Sequence, residues 1–245
     1  MIALERTPAS EFLKLLGKAL PRPKAILSIS AHWTTMRPTV SLAANPEMIY
    51  DFGGFPQALY EMNYPAPGAP ELSLRIKELL SATDIECDAI ADRGFDHGTW
   101  IPLHLMYPEA EIPVAQLSVQ PRNDAKSHYE IGQALQSLRE ENVLILASGT
   151  AVHNLSALSS SSETPSWAIN FDKWLSSAVA SGNANRLLEF ENIPEAKMAH
   201  PTPEHFLPLF VALGAAANAE GKFQGKTLHR SWELGSLGMA SYLFA

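Results

Sequence analysis

Two short, mainly apolar runs, at residues 25–30 and 143–147, constrain the fold of this chain more than any other feature. Runs that lack regular polar alternation are typical of strands that are buried on both faces. A sheet that is covered on both faces needs helices packed above and below it, and successive parallel strands are usually joined by helices. The two runs therefore favour an α/β domain.

The rest of the chain alternates between segments with helical periodicity and segments with a strand pattern. Apolar residues at helical spacing predict helices over residues 9–20, 71–81, 98–107, 129–140, 167–180 and 206–219. Further strands are predicted over residues 40–44, 85–91, 112–119, 227–233 and 239–244. We therefore expect a single domain over residues 1–245, an α/β fold whose central, mostly parallel sheet is flanked by helices.

Two segments have no clear period. Residues 45–70 are rich in Gly, Pro and aromatic residues, and a loop of this length in a compact domain is often functional. The serine run at residues 159–162 is expected to be a solvated loop.

Composition and charge narrow the functional classes. The chain has 245 residues and a formal net charge of −8, so it offers no basic stripe that could neutralise phosphates, and we expect no nucleic-acid partner. No run approaches the roughly 20 apolar residues of a membrane span, and the first residues do not form a signal peptide. We expect a cytoplasmic protein without a membrane partner that acts on a small molecule. The oligomeric state is left open.

Cys87 is the only cysteine, which excludes an intrachain disulfide and a thiolate zinc cluster. A metal ion in this protein would therefore be held by histidine and carboxylate side chains.

Four of the eight histidines stand where a strand ends or a helix begins. His32 follows the run at residues 25–30, and His153 follows the run at residues 143–147 and a short turn. Ligand sites of open α/β sheets gather at the carboxyl ends of the strands, so two imidazoles can be aimed at one point. The alternative is that each is a hydrogen-bonded structural histidine.

The other two lie near predicted helix starts. His97 has a glycine on its C-terminal side and another three residues before it, which allow a close backbone approach, and Asp96 could orient a neighbouring imidazole. Glu204 and His205 supply a carboxylate and an imidazole at one place, just before the helix at residues 206–219. Helix capping is the alternative interpretation in both cases.

The remaining histidines have less context. His104 is expected in the core or at its rim, on a helix, while His128 and His200 are expected in solvated loops. His229 alternates with apolar neighbours on a predicted strand and could line the site.

Six segments occur in an order that resembles a known family. They are Ser30-Ala31-His32-Trp33, Tyr50-Asp51-Phe52-Gly53-Gly54-Phe55-Pro56, Tyr64-Pro65-Ala66-Pro67-Gly68, Gly94-Phe95-Asp96-His97-Gly98, Ala147-Ser148-Gly149-Thr150-Ala151-Val152-His153-Asn154 and Pro201-Thr202-Pro203-Glu204-His205. Together they look like the DODA-type extradiol ring-opening dioxygenases, the 4,5-DOPA dioxygenase-like members of the class III extradiol group. The resemblance runs from about residue 3 to the C-terminus.

This resemblance implies a non-haem metal site at which a small aromatic diol and O2 react, with Fe(II) as the catalytic ion, although zinc is also found in members. Carried over by motif, His32 and His205 are implied as metal ligands, His153 as the acid/base residue, and His97 as a contact of substrate or oxygen. Glu204 is a reserve ligand, because the wider class uses two histidines and one carboxylate. Which of Glu204 and His205 coordinates stays open.

The chain departs from the family pattern at its N-terminus. Family members begin with an apolar strand that ends in His-Gly-Ser-Pro, whose histidine is a metal ligand, and residues 1–5 align with the segment that follows. We expect either a start codon assigned at an internal methionine, with about 20 residues preceding it, or a truncated form whose two-ligand site would bind metal weakly.

The substrate is predicted only as catechol-like. Aromatic residues near the motifs could form pocket walls, although core packing is the alternative for them. They are Trp33, Tyr50, Phe52, Phe55, Tyr60 and Trp100. Arg37 and Arg93 are the candidate partners of a substrate carboxylate. A non-catalytic relative of the same fold and a zinc hydrolase are the alternative functions.

Overall fold

A five-stranded sheet forms the centre of the computed structural model, which describes residues 2–160 and 163–245. Its strands lie in the order β3-β2-β4-β1-β5. They are β1 Ala25–Thr34, β2 Thr39–Ser41, β3 Asp88–Ile90, β4 Val114–Val119 and β5 Val143–Ser148. β1 pairs in parallel with β4 and β5, β2 pairs in parallel with β3, and β2 and β4 pair antiparallel. The predicted mostly parallel α/β sheet is confirmed.

Helices cover both faces of this sheet. They are α1 Pro8–Ala19, α2 Gln57–Tyr60, α3 Pro70–Ser81, α4 His97–Met106, α5 Ala125–Ala134, α6 Ser166–Ala180, α7 Ala184–Leu188, α8 Ala196–Ala199 and α9 Leu207–Ala216. The six predicted helices are present, with ends shifted by up to about six residues. The short helices α2, α7 and α8 were not predicted, because four or five residues carry too little periodicity.

Local sequence sets the start of α1. Thr7 accepts a hydrogen bond from the Ser10 backbone N–H, and the Ser10 hydroxyl accepts one from the Thr7 N–H, while Pro8 occupies the first turn. Such a capping box satisfies two backbone donors that the first helical turn leaves unpaired. The Thr7 cap contributes about 0.5–2 kcal/mol to helix stability.

Successive residues of β1 point into different cores. Leu27 and Ile29 belong to the larger apolar core, which also contains residues of α5, α6 and α9, and Ile26 belongs to the core shared with α4. All three side chains are fully buried, and each contributes about 1.5–3 kcal/mol relative to an exposed position. The apolar run at residues 25–30 thus forms a strand that is covered on both faces.

Helices α5 and α9 approach each other closely because glycines face each other across their contact. A Cβ atom on Gly132 would lie 2.2 Å from the Val211 carbonyl oxygen, and one on Gly214 would lie 2.0 Å from the Tyr129 carbonyl oxygen. No other residue type fits at either position without separating the helices.

The C-terminal segment forms two small antiparallel sheets instead of the two predicted strands. β6 Gly225–His229 pairs with β9 Ser241–Phe244, and β7 Trp232–Glu233 pairs with β8 Leu237–Gly238. The predicted strand at residues 227–233 is interrupted at residues 230–231, and the chain then turns at residues 234–235, both of which have positive φ. Residues 159–160 have no helix or strand, and residues 161–162 of the predicted serine loop lie outside the described residues.

The expectation that His128 and His200 lie in solvated loops is wrong. His128 is fully buried in α5, where its Nε2 accepts a hydrogen bond from the Gln120 N–H and its Nδ1 lies 2.9 Å from the Asp124 carbonyl oxygen. His200 is 7 % exposed, with its Nε2 3.0 Å from the Ala151 carbonyl oxygen. The error at His128 arose because α5 begins four residues before the predicted helix, at a cap that Asp124 provides.

Within residues 2–160 and 163–245, no helix combines the length and the apolar character that crossing a bilayer requires.

Candidate metal centre

The four histidines that stand at strand ends or helix starts meet in one cluster. The Nε2 atoms of His32 and His205 are 3.3 Å apart. The ring of His153 stacks on that of His205, with centroids 3.5 Å apart and an angle of 7° between the planes. The ring of His97 lies 3.9 Å from that of His32. Side chains that are more than 170 residues apart in the chain are therefore in direct contact.

The end of β1 positions His32. Pairing between β1 and β5 stops at Ser30, opposite Ser148, and the register with β4 becomes irregular between Ile29 and Thr34. The strand continues beyond the predicted residue 30 but has lost its regular neighbours there. This agrees with the expectation that the histidine lies at the carboxyl end of a buried strand.

A close backbone contact fixes the position of His205 relative to the end of β5. The Thr150 N–H donates a hydrogen bond of 3.0 Å to the His205 carbonyl oxygen. A Cβ atom on Gly149 would lie only 2.1 Å from the same oxygen, so a glycine is required for this approach. The His153 N–H in turn donates to the Ala199 carbonyl oxygen at 2.9 Å.

A carboxylate lies behind each of the two facing imidazoles. Glu204 Oε1 is 3.0 Å from His205 Nδ1 and also accepts a hydrogen bond of 2.7 Å from the Thr202 hydroxyl. Asp51 Oδ2 is 3.4 Å from His32 Nδ1. A carboxylate at Nδ1 favours the tautomer with the proton on Nδ1 and leaves the Nε2 lone pair available.

Asp51 was not singled out by the sequence, although it lies in the long loop that was predicted to be functional. Its Oδ1 accepts a hydrogen bond of 3.0 Å from the His97 N–H and lies 2.9 Å from His97 Nδ1. The only signal was its place in the Tyr50 to Pro56 segment that carries the family resemblance. Periodicity gave no indication of its partners.

Asp96 does not orient an imidazole, contrary to the expectation. It is fully buried, caps α4 by accepting the Thr99 N–H, and accepts a hydrogen bond of 2.6 Å from the Ser30 hydroxyl. Its other oxygen accepts from Arg93 Nη2 at 2.9 Å. Arg93 is thus neutralised by Asp96, and Arg37 pairs with Glu86 at 3.0 Å. Neither arginine is presented as a free partner for a substrate carboxylate.

The environment keeps the facing imidazoles neutral. Burial, followed by the nearby His153, lowers the pKa of His205 to about 4. Burial also lowers the pKa of His32, with His97 acting in the same direction. At Asp51, burial acts to raise the pKa, but hydrogen bonds from the side chain and backbone of His97 outweigh it and lower the pKa to about 2. Near neutral pH the imidazoles of His32 and His205 are therefore neutral, and the Asp51 carboxylate beside His32 is ionised.

This donor set fits a divalent transition metal. Two neutral imidazoles whose Nδ1 atoms are protonated would point lone pairs at each other across 3.3 Å, an arrangement that needs a cation or a proton between them. Within residues 2–160 and 163–245, two groups of ligand atoms, each spanning no more than 4.8 Å, could hold an ion. They are His32 with Asp51 and His97, and His153 with Glu204 and His205. Nitrogen and carboxylate donors suit iron and zinc.

Aromatic side chains line one flank of the cluster. The Phe52 ring lies 5.5 Å from that of His97, and it also packs against Phe55, Tyr60 and the buried Trp100. Tyr50 joins the same group. Trp33 was also expected as a wall residue. Its side chain is buried, and the Arg93 guanidinium lies over the Trp33 ring, 5.4 Å from the ring centroid.

The remaining half-buried histidines lie outside the cluster. His229 stacks on Phe12 with ring centroids 4.7 Å apart, and its Nε2 is 2.8 Å from the Ser231 hydroxyl. His104 lies within α4, where its ring contacts that of Tyr64.

Comparison with known proteins decides the family. Residues 7–245 match the family model described as the catalytic LigB subunit of aromatic ring-opening dioxygenase. The chain belongs to this LigB family. It is 44 % identical over 250 residues to a 4,5-DOPA dioxygenase extradiol of Beta vulgaris, covering 100 % of this chain and 92 % of the relative.

Two bacterial proteins extend the LigB comparison. A 4,5-DOPA dioxygenase extradiol of Escherichia coli K12 is 41 % identical over 232 residues, covering 92 % of this chain and 84 % of the relative. The crystal structure of an uncharacterized protein from Escherichia coli K12 superposes with a TM-score of 0.83 at 34 % identity, covering 98 % of this chain and 93 % of that chain.

The resemblance seen in the sequence motifs is therefore confirmed. This LigB-family chain is a DODA-type, non-haem extradiol dioxygenase that opens an aromatic ring with O2. The family is metal-dependent, and the histidine and carboxylate groups described above could hold the ion.

Proposed function

We propose that this chain cleaves a catechol next to its two hydroxyl groups, using Fe(II) bound by His32 and His205. The observation that carries this proposal is the 3.3 Å approach of the two Nε2 atoms, each on an imidazole whose Nδ1 faces a carboxylate. Zinc would bind to the same nitrogen ligands, but it does not exchange electrons with O2. Iron is therefore the ion on which turnover depends.

Glu204 acts in this proposal behind the ligand His205. Its Oε1 already interacts with His205 Nδ1 and the Thr202 hydroxyl. A carboxylate in that position fixes the tautomer and orientation of the histidine and raises its basicity as a ligand.

An iron ion held by His32 and His205 would supply positive charge that lowers the pKa of the catechol hydroxyls and would bring the diol and O2 together. His153 accepts a hydroxyl proton and later returns it to the opening ring. Burial lowers the pKa of His153, so its imidazole is neutral near neutral pH and can act as a base. Its ring lies flat against that of His205, the residue proposed to hold the metal.

His97 contacts substrate or oxygen in this proposal. Asp51 Oδ1 lies 2.9 Å from His97 Nδ1, which leaves Nε2 available to accept a hydrogen bond. The ring of Phe52 beside it can pack against a planar substrate. Because relatives are named 4,5-DOPA dioxygenases, a catechol that carries an amino-acid side chain is the first substrate to test.

The test is O2 uptake by the purified chain, loaded with Fe(II) under anaerobic conditions and mixed with a panel of substituted catechols. Mass spectrometry of a product formed under 18O2 should show one molecule of oxygen added, with both labelled atoms initially retained in the ring-opened acid. Loading with zinc should give binding without O2 uptake.

The variant His153→Gln should lower turnover by about 100- to 10,000-fold. His229→Gln, which changes a histidine outside the cluster, should leave turnover intact. Ester or amide cleavage without O2 uptake would indicate a zinc hydrolase instead. Metal binding without any reaction would indicate a non-catalytic relative of the same fold.

A further inference from the structure

We propose that Asp51 is a positioning residue that sets the tautomers of two histidines at once, His32 and His97. This inference rests on the proposed function, because it concerns the residue that presents the His32 ligand. Asp51 lies in the loop between β2 and α2. Asp51 has no histidine next to it in the sequence and lies in no helix or strand.

The two oxygens of Asp51 serve different partners. Oδ1 accepts the His97 N–H at 3.0 Å and lies 2.9 Å from His97 Nδ1, while Oδ2 lies 3.4 Å from His32 Nδ1. An ionised carboxylate can only accept hydrogen bonds. His97 is therefore held with the proton on Nδ1. The longer contact favours the same tautomer at His32 when a cation lies between its Nε2 atom and that of His205.

This arrangement repeats, on the other side of the cluster, what Glu204 does for His205. There too a carboxylate oxygen lies at Nδ1, 3.0 Å away, and Nε2 faces the centre. The difference is that Glu204 precedes its histidine directly in the chain, whereas Asp51 reaches its partners from a separate loop. The side chain of Asp51 is 24 % exposed and contacts the His97 N–H, His97 Nδ1 and His32 Nδ1.

Asp51 also lies between His32, the proposed metal ligand, and the aromatic side chains that flank the cluster. The next residue, Phe52, packs against His97 with ring centroids 5.5 Å apart. A movement of this loop would displace the carboxylate and the wall together. The loop therefore couples the presentation of His32 to the shape of the substrate pocket.

The sharpest variant is Asp51→Asn. The amide oxygen can still accept both hydrogen bonds from His97, but the amide NH2 group then faces His32 Nδ1. Two donors cannot pair, so His32 is expected to move its proton to Nε2, the atom proposed to bind the metal. Asp51→Ala removes both interactions and should release the tautomers of both histidines.

The first measurement needs no metal and no activity. Long-range 1H–15N correlation spectra of metal-free, 15N-histidine-labelled protein report which ring nitrogen is protonated. We expect Nδ1–H at His97 in the unmodified chain and in Asp51→Asn, and a mixture of tautomers at His97 in Asp51→Ala. Finding Nε2–H at His97 of the unmodified chain would overturn the proposal.

The second measurement is the zinc dissociation constant, determined by competition with a chelator. Loss of such a partner typically weakens metal binding by about 10- to 100-fold. The control Asp84→Asn removes the same charge from an exposed turn after α3, where Asn tolerates the positive φ of 59°, and should bind zinc as the unmodified chain does. Equal zinc affinity in Asp51→Asn and the unmodified chain would overturn the proposal. A chain with the expected tautomers that consumes no O2 when loaded with iron would instead refute the proposed function.

Discussion

The imidazole of His153 lies flat on that of His205, with ring centroids 3.5 Å apart and 7° between the planes. Ligand atoms of His153, Glu204 and His205 lie close enough together to hold one ion. The proposed function separates the roles of the two stacked rings: His205 binds the metal, and His153 carries the proton.

The separation predicts that His153→Gln lowers kcat without removing the metal. Loss of a general acid–base residue typically costs about 100- to 10,000-fold in rate. We expect a decrease in this range, while the zinc dissociation constant changes by only a few-fold. Steady-state O2 uptake and chelator competition measure the two quantities. Complete loss of metal from this variant would show that His153 is itself a ligand.

The Glu204 and His205 pair gives a second prediction. If His205 is the ligand, His205→Ala should remove bound zinc, whereas Glu204→Gln should weaken binding by about 10- to 100-fold. Metal content after dialysis and chelator competition distinguish the variants. The reverse order, with Glu204→Gln losing all metal and His205→Ala retaining it, would make the carboxylate the ligand.

Gly149 gives a prediction about the backbone that supports the site. A Cβ atom at this position would lie 2.1 Å from the His205 carbonyl oxygen, so Gly149→Ala should displace the His205 segment. We expect a decrease of about 1–3 kcal/mol in the free energy of unfolding, which is typical of overpacking, together with weaker zinc binding.

The stability control for this prediction is Gly53→Ala, because a Cβ atom on Gly53 would meet no atom within 4 Å. Urea unfolding of both variants measures the difference. An unfolding free energy for Gly149→Ala equal to that of Gly53→Ala would argue against a required close contact at Gly149.

His128 predicts how stability changes with pH. Burial lowers the pKa of this histidine, although hydrogen bonding to Asp124 acts in the opposite direction. The unfolded chain therefore binds a proton more readily than the folded chain, so the stabilising effect of the neutral ring is full above about pH 6.5 and is lost as the pH falls below that value.

The variant His128→Gln can accept the Gln120 N–H hydrogen bond through its amide oxygen without titrating. Its unfolding free energy should fall less than that of the unmodified chain between about pH 8 and about pH 5. Urea unfolding at a series of pH values measures this difference. Parallel pH profiles for the two proteins would show that His128 contributes nothing to the acid sensitivity.

Much of the fold could be predicted because its strands carry a strong local signal. The run at residues 143–147 became β5 with a change of one residue, and the run at residues 25–30 became the first part of β1. Burial on both faces leaves no polar alternation, so the pattern is visible without knowledge of the neighbours. The small C-terminal sheets were predicted less well, because their pairing depends on turns and contacts that are distant in sequence.

Part of the site was also visible in the sequence. His32 and His153 were predicted at strand ends, and the ends of parallel strands must share one edge of the sheet. Asp51 and Asp96 show where this reasoning stops. Asp96 is next to His97 in the chain, and Asp51 lies in the long loop at residues 45–70. Yet it is Asp51 that contacts two imidazoles, whereas Asp96 pairs with Arg93 and caps α4.

The sequence by itself determined the family, the mostly parallel α/β sheet and four histidines at its strand ends and helix starts, because periodicity and short motifs are local properties of the chain. The tertiary structure alone decided the partner of each ring nitrogen. A hydrogen bond depends on a few tenths of an ångström between atoms that the sequence separates widely, as between His32 and His205. Those distances decide which nitrogen carries a proton and which remains free for a metal.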